Sequence, residues 1–178
     1  PQDSKDPPAS ELLKGIEQEK KRLVKEGKIK ESQALPPIKP EEVPYQLPES
    51  WEWVRLGEVV SKLGSGSTPK GGRDTYVDEG IMFLRSQNIY NDGLRTENIS
   101  YITPEVHEKM SGTKILPFDI LFNITGGSLG RTALVPENFP EGNISQHVCI
   151  IRPVHLNNEY IHKLTISAVF QNQIPGDR

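Results

Sequence analysis

Three polar side chains with paired hydrogen-bonding groups follow one predicted strand. The segment 80–90 predicts a core strand at 81–84, and Arg85, Gln87 and Asn88 come directly after it. Arginine, glutamine and asparagine make paired hydrogen bonds to the edges of guanine and adenine. A strand is rigid enough to aim such side chains at a base. The alternative, which composition alone favours, is a polar turn whose amides cap the backbone.

A second group of polar residues belongs to a predicted β-hairpin at 114–135. A buried strand at 120–124 and a returning strand at 131–135 flank the tight turn Thr125-Gly126-Gly127-Ser128. The two glycines let the backbone reverse where larger residues could not. Because the turn carries hydroxyl groups and unshielded amides, we expect the hairpin to present donors to a polar ligand.

Two segments precede the main folded region. Ser10 is the predicted N-cap of a helix that runs to Glu26 and stops at Gly27. The prolines of 31–49 prevent a helix and favour an extended linker. Folded structure resumes near residue 50, where Trp51 and Trp53 are the predicted core anchors. The predicted domains are a tail and helix at 1–30, a Pro-rich linker at 31–49 and a C-terminally incomplete domain at 50–178.

Short strands and helices are predicted for the rest of the chain. They comprise a turn at 91–93, a strand at 94–102, a strand at 143–151 and a helix at 158–173. Thr103 caps a further short helix that begins at Pro104 and ends at Gly112. In the last helix, Tyr160 and Ile161 share a face that is predicted to pack in the core, with Leu164 and Ala168.

The composition excludes several classes of protein. The 178 residues include 21 basic and 24 acidic side chains, a net charge of −3. This balance argues against a non-specific polyanion binder but permits a reader with one positive face. A lone Cys149 excludes an internal disulfide and is predicted to be buried. The four histidines lack metal-ligand spacing and no catalytic motif occurs, so we expect no metal site and a binding module.

The compartment and the completeness of the chain are also expectations. No apolar run reaches the ~20 residues that span a bilayer, and no signal peptide opens the sequence, so a cytoplasmic location is expected. The chain starts without Met and stops just after a predicted helix. It is therefore expected to be a fragment.

Several segments together resemble a known family. They are Gly66-Ser67-Thr68-Pro69, the strand and turn at 80–89, Leu116-Pro117-Phe118-Asp119-Ile120-Leu121, the turn at 126–131 and Asn143-Ile144-Ser145-Gln146-His147. Their order and spacing resemble the target recognition domain of the specificity subunit (HsdS) of type I restriction–modification enzymes. The resemblance covers nearly the whole chain. It departs at Met82-Phe83, where the family more usually has Pro-Trp.

The resemblance implies a fold and a set of partners. The expected fold is a single α+β target recognition domain with a mixed, curved β-sheet and short flanking helices, preceded by an N-terminal helix and a Pro-rich linker. Each of the two recognition domains in such a subunit binds one half of a bipartite double-stranded DNA sequence, without catalysing a reaction. Methyltransferase subunits (HsdM) use S-adenosylmethionine to methylate adenine, and restriction or motor subunits (HsdR) cleave unmodified DNA with ATP and Mg. This chain is expected to hold none of these cofactors.

The candidate DNA contacts form three sets. One edge of base-reading residues consists of Arg85, Gln87, Asn88 and Asn91. A second edge consists of Thr125, Ser128 and Arg131 of the hairpin with Gln146 and His147. The candidate phosphate contacts are Lys70, Arg73 and Arg95.

Two other functions remain open at this stage. The acidic balance and the two tryptophans also permit a protein-interaction module that binds no DNA. The chain could equally be the recognition part of a fused restriction–methyltransferase.

Overall fold

The computed structural model describes residues 7–174, which form two compact units. The first contains the described residues up to Lys62 together with Pro153–Leu156. The second contains Leu63–Arg152 and the described residues from Asn157 onward. Within 7–174 there is no helix of the length and apolar character needed to cross a membrane.

The first unit is built on helix α1, Ala9–Lys25. Ile16 is its buried residue, and Lys20 Nζ donates hydrogen bonds to the carbonyl oxygens of Gly57 and Glu58 at 2.7 and 3.0 Å. The helix ends as predicted before Gly27, whose φ of 69° is the left-handed conformation that favours glycine. The predicted N-cap at Ser10 is wrong, because the cap is Pro8 and the Ala9 N–H is bonded to the Ser50 carbonyl.

Arg55 holds the Pro-rich segment of the first unit in place. Its guanidinium donates to both carboxylate oxygens of Glu42, at 2.6 and 2.7 Å, and to the carbonyls of Pro36 and Pro37, each at 3.1 Å. The 3-10 turn Pro40–Glu42 lies between these contacts and is capped by Glu42.

The two tryptophans that were predicted to anchor the core are not fully buried. The predicted anchor role of Trp51 is wrong, because 46% of its surface is exposed. Trp53 is half-buried and packs edge-on against Tyr45, with ring centroids 5.2 Å apart.

Nine strands form three sheets in the described part of the chain. They are β1 Val60–Ser65, β2 Ile81–Leu84, β3 Ile89–Tyr90, β4 Gly93–Leu94, β5 Ser100–Ile102, β6 Ile120–Asn123, β7 Thr132–Leu134, β8 Gly142–Ile144 and β9 Val148–Pro153. The sheet orders are β1-β9-β6-β7, β5-β2-β8 and β3-β4. Strand β2 runs antiparallel to β5 but parallel to β8, so the second sheet is mixed.

The core of the second unit is formed by apolar residues from these strands. Leu84 and Ile144 of the mixed sheet belong to one buried cluster with Leu121, Val148 and Ile150 of the four-stranded sheet. These residues follow the apolar runs from which the strands were predicted. The α+β fold with a mixed sheet is confirmed.

Three short helices follow strands of the second unit along the chain. They are α2 Pro104–Lys109, α3 Asn158–Ile166 and α4 Ala168–Gln171. The predicted cap at Thr103 is confirmed, since its side chain accepts from the Val106 N–H at 3.3 Å. Helix α2 ends before Gly112, which lies in a separate 3-10 turn, Ser111–Thr113.

Three predicted elements are shorter in the structure. Within the strand predicted at 94–102, residues 95–99 belong to neither β4 nor β5. The strand predicted at 143–151 is two strands, β8 and β9, separated by residues 145–147. Ser167 divides the last helix, because its side chain caps α4. Tyr160 does not pack in the core, since 48% of its surface is exposed, whereas Ile161 is buried.

Two buried polar clusters brace the strands of the second unit. Asp119 accepts two hydrogen bonds from Arg152, each 2.7 Å, and one from the Leu116 N–H at 2.8 Å. Asn143, fully buried on β8, accepts from His107 Nδ1 at 2.5 Å and donates to Thr113 Oγ1 at 2.8 Å. These contacts attach the connecting segments to the strands that carry the candidate residues.

Candidate nucleic-acid interface

Four polar loops meet at one end of the sheets in the second unit, and we call this surface the polar edge. It comprises the loops 66–73, 85–88, 124–131 and 145–147. Strands β2 and β8 are parallel with Leu84 opposite Ile144, so both end on the same side. The Ser145 N–H bonds to the Leu84 carbonyl at 2.9 Å, which brings the residues after the two strands together.

The hairpin reaches the same place through antiparallel pairing. Asn123, the last residue of β6, lies opposite Val148, the first of β9. The Ile124 N–H then bonds to the His147 carbonyl at 3.1 Å. The turn that begins at Thr125 is therefore beside the loop 145–147.

Gly66 brings the fourth loop to the polar edge. Its N–H bonds to the Val148 carbonyl at 2.9 Å, and the Ser67 N–H bonds to the Ile144 carbonyl at 3.3 Å. A Cβ at position 66 would lie 2.0 Å from the Ile144 carbonyl oxygen. Only glycine permits this close approach of two backbones.

Asn123 connects two of the loops and was not predicted as a site residue. Its Nδ2 donates to the Ser86 carbonyl at 2.9 Å and to Ser128 Oγ at 3.0 Å. The candidate Ser128 is half-buried, and its hydroxyl group is bonded to Asn123. A single amide fixes the spacing between the strand-end turn and the hairpin turn.

The first candidate set is divided by the structure. Asn88 is 1% exposed, its Oδ1 accepts from the Arg85 N–H at 3.0 Å, and its Nδ2 donates to the Arg95 carbonyl at 2.8 Å. The base-reading role predicted for Asn88 is therefore corrected: this amide caps the backbone, as the alternative described. Gln87 is exposed beside it.

Arg85 is half-buried and lies over the Tyr76 ring, 5.7 Å from its centroid. Its Nε is buried and has no hydrogen-bond partner among the described residues. Because this Nε is buried, only the terminal amino groups of Arg85 could donate to an acceptor such as a guanine edge.

Four side chains from three loops form a chain of hydrogen bonds, which we call the Gln146 network. Thr68 Oγ1 donates to Gln146 Oε1. Gln146 Nε2 lies 3.2 Å from His147 Nε2, and His147 Nδ1 lies 2.7 Å from Thr125 Oγ1. All four residues are exposed, so the structure brings three predicted residues together and adds Thr68.

Two arginines share one aromatic ring next to the polar edge. Arg95 and Arg131 lie 5.1 and 4.7 Å from the centroid of Tyr90. Arg95 also bonds Asp92 at 2.6 Å, and this hydrogen bond lowers the pKa of the Asp92 carboxyl. Asn91, exposed in the same turn, accepts from the Thr132 N–H at 3.0 Å, which ties the hairpin β3–β4 to β7.

Lys70 is exposed on the loop 66–73, and Arg73 is exposed where this loop enters the 3-10 turn Gly72–Thr75. With Arg85, Arg95 and Arg131, they give this end of the second unit five cations. Asp92 pairs with Arg95 and Asp74 follows Arg73, so the cations that could bind phosphates lie among acidic groups. Within residues 7–174, His, Cys, Asp and Glu side chains form no group of three that could hold a metal ion.

Comparison with known proteins relates this chain to one family of proteins. The chain is 40% identical over 124 residues to the specificity subunit of the type I restriction enzyme EcoAI of Escherichia coli, and 54% identical over 80 residues to that of EcoEI from the same organism. The matches cover 70% and 45% of this chain. This chain is related to type I specificity subunits. The resemblance predicted from the motifs is confirmed.

The similarity concerns part of each relative. The matches span 20% of the EcoAI subunit and 14% of the EcoEI subunit. No protein-family model matches the chain. The matched part of the chain thus corresponds to a fifth or less of the length of these relatives.

Solved structures show the same fold. The HsdS subunit from Thermoanaerobacter tengcongensis matches 93% of this chain with a TM-score of 0.56 and 18% identity, over 37% of its own length. A chain from a structural study of "complex assembly and conformational transition of the type I R-M system" matches 89% with a TM-score of 0.53 and 20% identity, over 36% of its length.

Proposed function

We propose that this chain recognises double-stranded DNA in a sequence-specific manner, as part of the specificity subunit of a type I restriction–modification complex. It reads one half of a bipartite site and thereby directs adenine methylation and restriction. The observation that carries this proposal is the polar edge, where loops from four strands place amide, hydroxyl, imidazole and guanidinium groups on one surface. The similarity to the EcoAI and EcoEI specificity subunits supports it.

The geometry suits a division of labour between residues. Exposed amides, Arg85 and Arg131 provide hydrogen bonds to base edges, whereas Lys70, Arg73 and Arg95 provide charge for the DNA backbone. Phosphate contacts position a protein on DNA, and base contacts determine the sequence. The chain therefore acts by binding, and the chemical steps belong to other subunits.

The proposed partners follow from this role. Methyltransferase subunits (HsdM) supply adenine methylation with S-adenosylmethionine, and restriction or motor subunits (HsdR) supply cleavage with ATP and Mg. The complex acts in the cytoplasm. None of these cofactors is assigned to this chain.

Binding selection tests the proposal. The full-length protein that contains this chain, assembled in its complex, is incubated with a pool of randomised DNA duplexes, and the bound fraction is sequenced. We expect enrichment of one bipartite sequence, with an affinity that falls as the salt concentration rises. Enrichment of no sequence, with binding independent of salt, would reject the proposed function.

A further inference from the structure

The Gln146 network determines where each hydrogen atom lies. The Gln146 Nε2 group only donates, so His147 Nε2 accepts from it. The imidazole is then neutral with its proton on Nδ1, and this N–H donates to Thr125 Oγ1. At the other end, Thr68 donates to Gln146 Oε1. Every bond in the chain therefore has one donor and one acceptor.

This arrangement leaves a defined pair of groups unused on Gln146. A carboxamide has two N–H donors and two carbonyl lone pairs. The network uses one of each. What remains is one donor and one acceptor on an exposed side chain.

One base matches that pair in the major groove. Adenine presents the N7 acceptor beside the N6 donor, which a carboxamide can bind with two hydrogen bonds. Guanine presents two acceptors, cytosine a donor alone, and thymine an acceptor with a methyl group. The free groups of Gln146 are thus complementary to adenine.

The backbone around Gln146 is held as firmly as its side chain. Ser145 and Val148 on either side are buried. The Ser145 N–H bonds to the Leu84 carbonyl at 2.9 Å, and the Val148 N–H bonds to the Ser145 carbonyl at 3.0 Å. Little conformational entropy is then lost when Gln146 contacts a base, because the side chain is already oriented.

We propose that Gln146 reads the major-groove edge of an adenine, and that Thr68, His147 and Thr125 hold its carboxamide in the reading orientation. This inference rests on the proposed function and specifies a base for one position of the site. Gln146 is the specificity-determining residue, and the other three are positioning residues.

Substitutions at Gln146 test the base assignment. In the assembled complex, with the randomised duplex pool as probe, Gln146→Ala should reduce discrimination for adenine at one position by about ten- to a hundredfold and leave the other positions unchanged. Gln146→Glu, which only accepts, should shift the preference there towards cytosine. Asn138→Ala, at an exposed loop residue outside the polar edge, is the matched control and should select the wild-type sequence.

An isosteric pair at Thr125 tests the positioning role. Thr125→Val removes the hydroxyl group that accepts from His147, whereas Thr125→Ser keeps it. We expect the valine variant to lose discrimination at the same adenine, and the serine variant to retain it. In the Gln146→Ala background, Thr125→Val should have no further effect on that position, since the side chain that it orients is absent.

The outcomes separate this inference from the proposed function. If the wild-type complex selects a sequence but Gln146→Ala leaves every position unchanged, or weakens all duplexes equally, the adenine assignment is overturned while DNA recognition stands. If Thr125→Val keeps full discrimination, the positioning role is overturned. If the wild-type complex selects no sequence, the proposed function itself fails.

Discussion

At the scale of residues, asparagine has two distinct uses in this chain. Asn88, Asn123 and Asn143 are each at most 1% exposed, and their amides bind backbone or side-chain groups of neighbouring segments. A buried amide that satisfies several groups fixes the distance between loops. Asn91, in contrast, is exposed. Asn91 also bonds the Thr132 N–H at 3.0 Å, so it serves the framework, and its exposure keeps it a candidate contact.

Arg85→Ala is the residue-scale test of base readout. If Arg85 binds a guanine, its loss should cost about 1–3 kcal/mol of binding free energy and relax selection at one base position. Arg73→Ala should instead weaken binding to all duplexes alike and reduce the salt slope by about one, as expected for a phosphate contact. Binding selection at several salt concentrations distinguishes the two. A uniform loss for Arg85→Ala would make it a phosphate contact.

Asp119→Ala tests the buried ion pair. Asp119 is 1% exposed and bonds half-buried Arg152 through both oxygens, so its removal takes away this carboxylate and leaves the Leu116 N–H without its acceptor. We expect the free energy of unfolding to fall by about 1–3 kcal/mol, measured by urea denaturation. Glu137→Ala, at an exposed position of a nearby loop, should change it little. Equal stability of the two variants would contradict the framework role of this pair.

At the scale of elements, Arg55 and Glu42 organise the Pro-rich segment of the first unit. The Arg55 hydrogen bonds lower the pKa of Glu42 from its ordinary 4.5 to about 2. Because the folded pKa is depressed, the contribution of this pair is complete above pH 4.5 and is lost as the pH falls towards 2.

NMR titration of Glu42 measures this interaction directly. The carboxyl should titrate at a pKa of about 2 in the wild-type chain. In Arg55→Met, the pKa should return towards 4.5, and amide hydrogen exchange near neutral pH should increase over 36–42. Lys28→Met, which removes a cation paired with Glu26, should affect neither measurement. An unchanged Glu42 pKa in Arg55→Met would contradict the proposed interaction between Arg55 and Glu42.

The elements also show how much of the fold could be predicted from the sequence. Strands β2, β6 and β7 follow apolar runs bounded by glycine or polar residues, so their positions were correct to within two residues. The interruption between β8 and β9 could not be predicted, because it depends on bonds from Ser145 and Val148 to distant segments. Local pattern determines where strands lie, and tertiary contacts determine where they break.

The same distinction applies to the candidate site. Residue type alone nominated Gln146, His147 and Thr125, but not the bonds between them. Thr68 was missed because it lies 78 residues from Gln146 along the sequence. Its only signal was the motif Gly66-Ser67-Thr68-Pro69, in which Gly66 permits the close packing that brings the loop there. The remaining candidates on the polar edge stay predictions until DNA binding is measured.

At the scale of the whole molecule, the chain matches part of the length of the proteins that it resembles. It spans 20% of the EcoAI specificity subunit and 37% of the Thermoanaerobacter tengcongensis HsdS chain. One polar edge reads one half of a bipartite site in this account. The other half then depends on residues outside this segment.

Exchange of the recognition segment tests this claim most directly. Residues 50–174 of the full-length protein are replaced by the corresponding segment of a specificity subunit with a different target, and methylated adenines in the genome are mapped by sequencing. We predict that one half of the methylated motif changes to that of the donor while the other half is retained. An active complex whose methylated motif is unchanged would contradict the account.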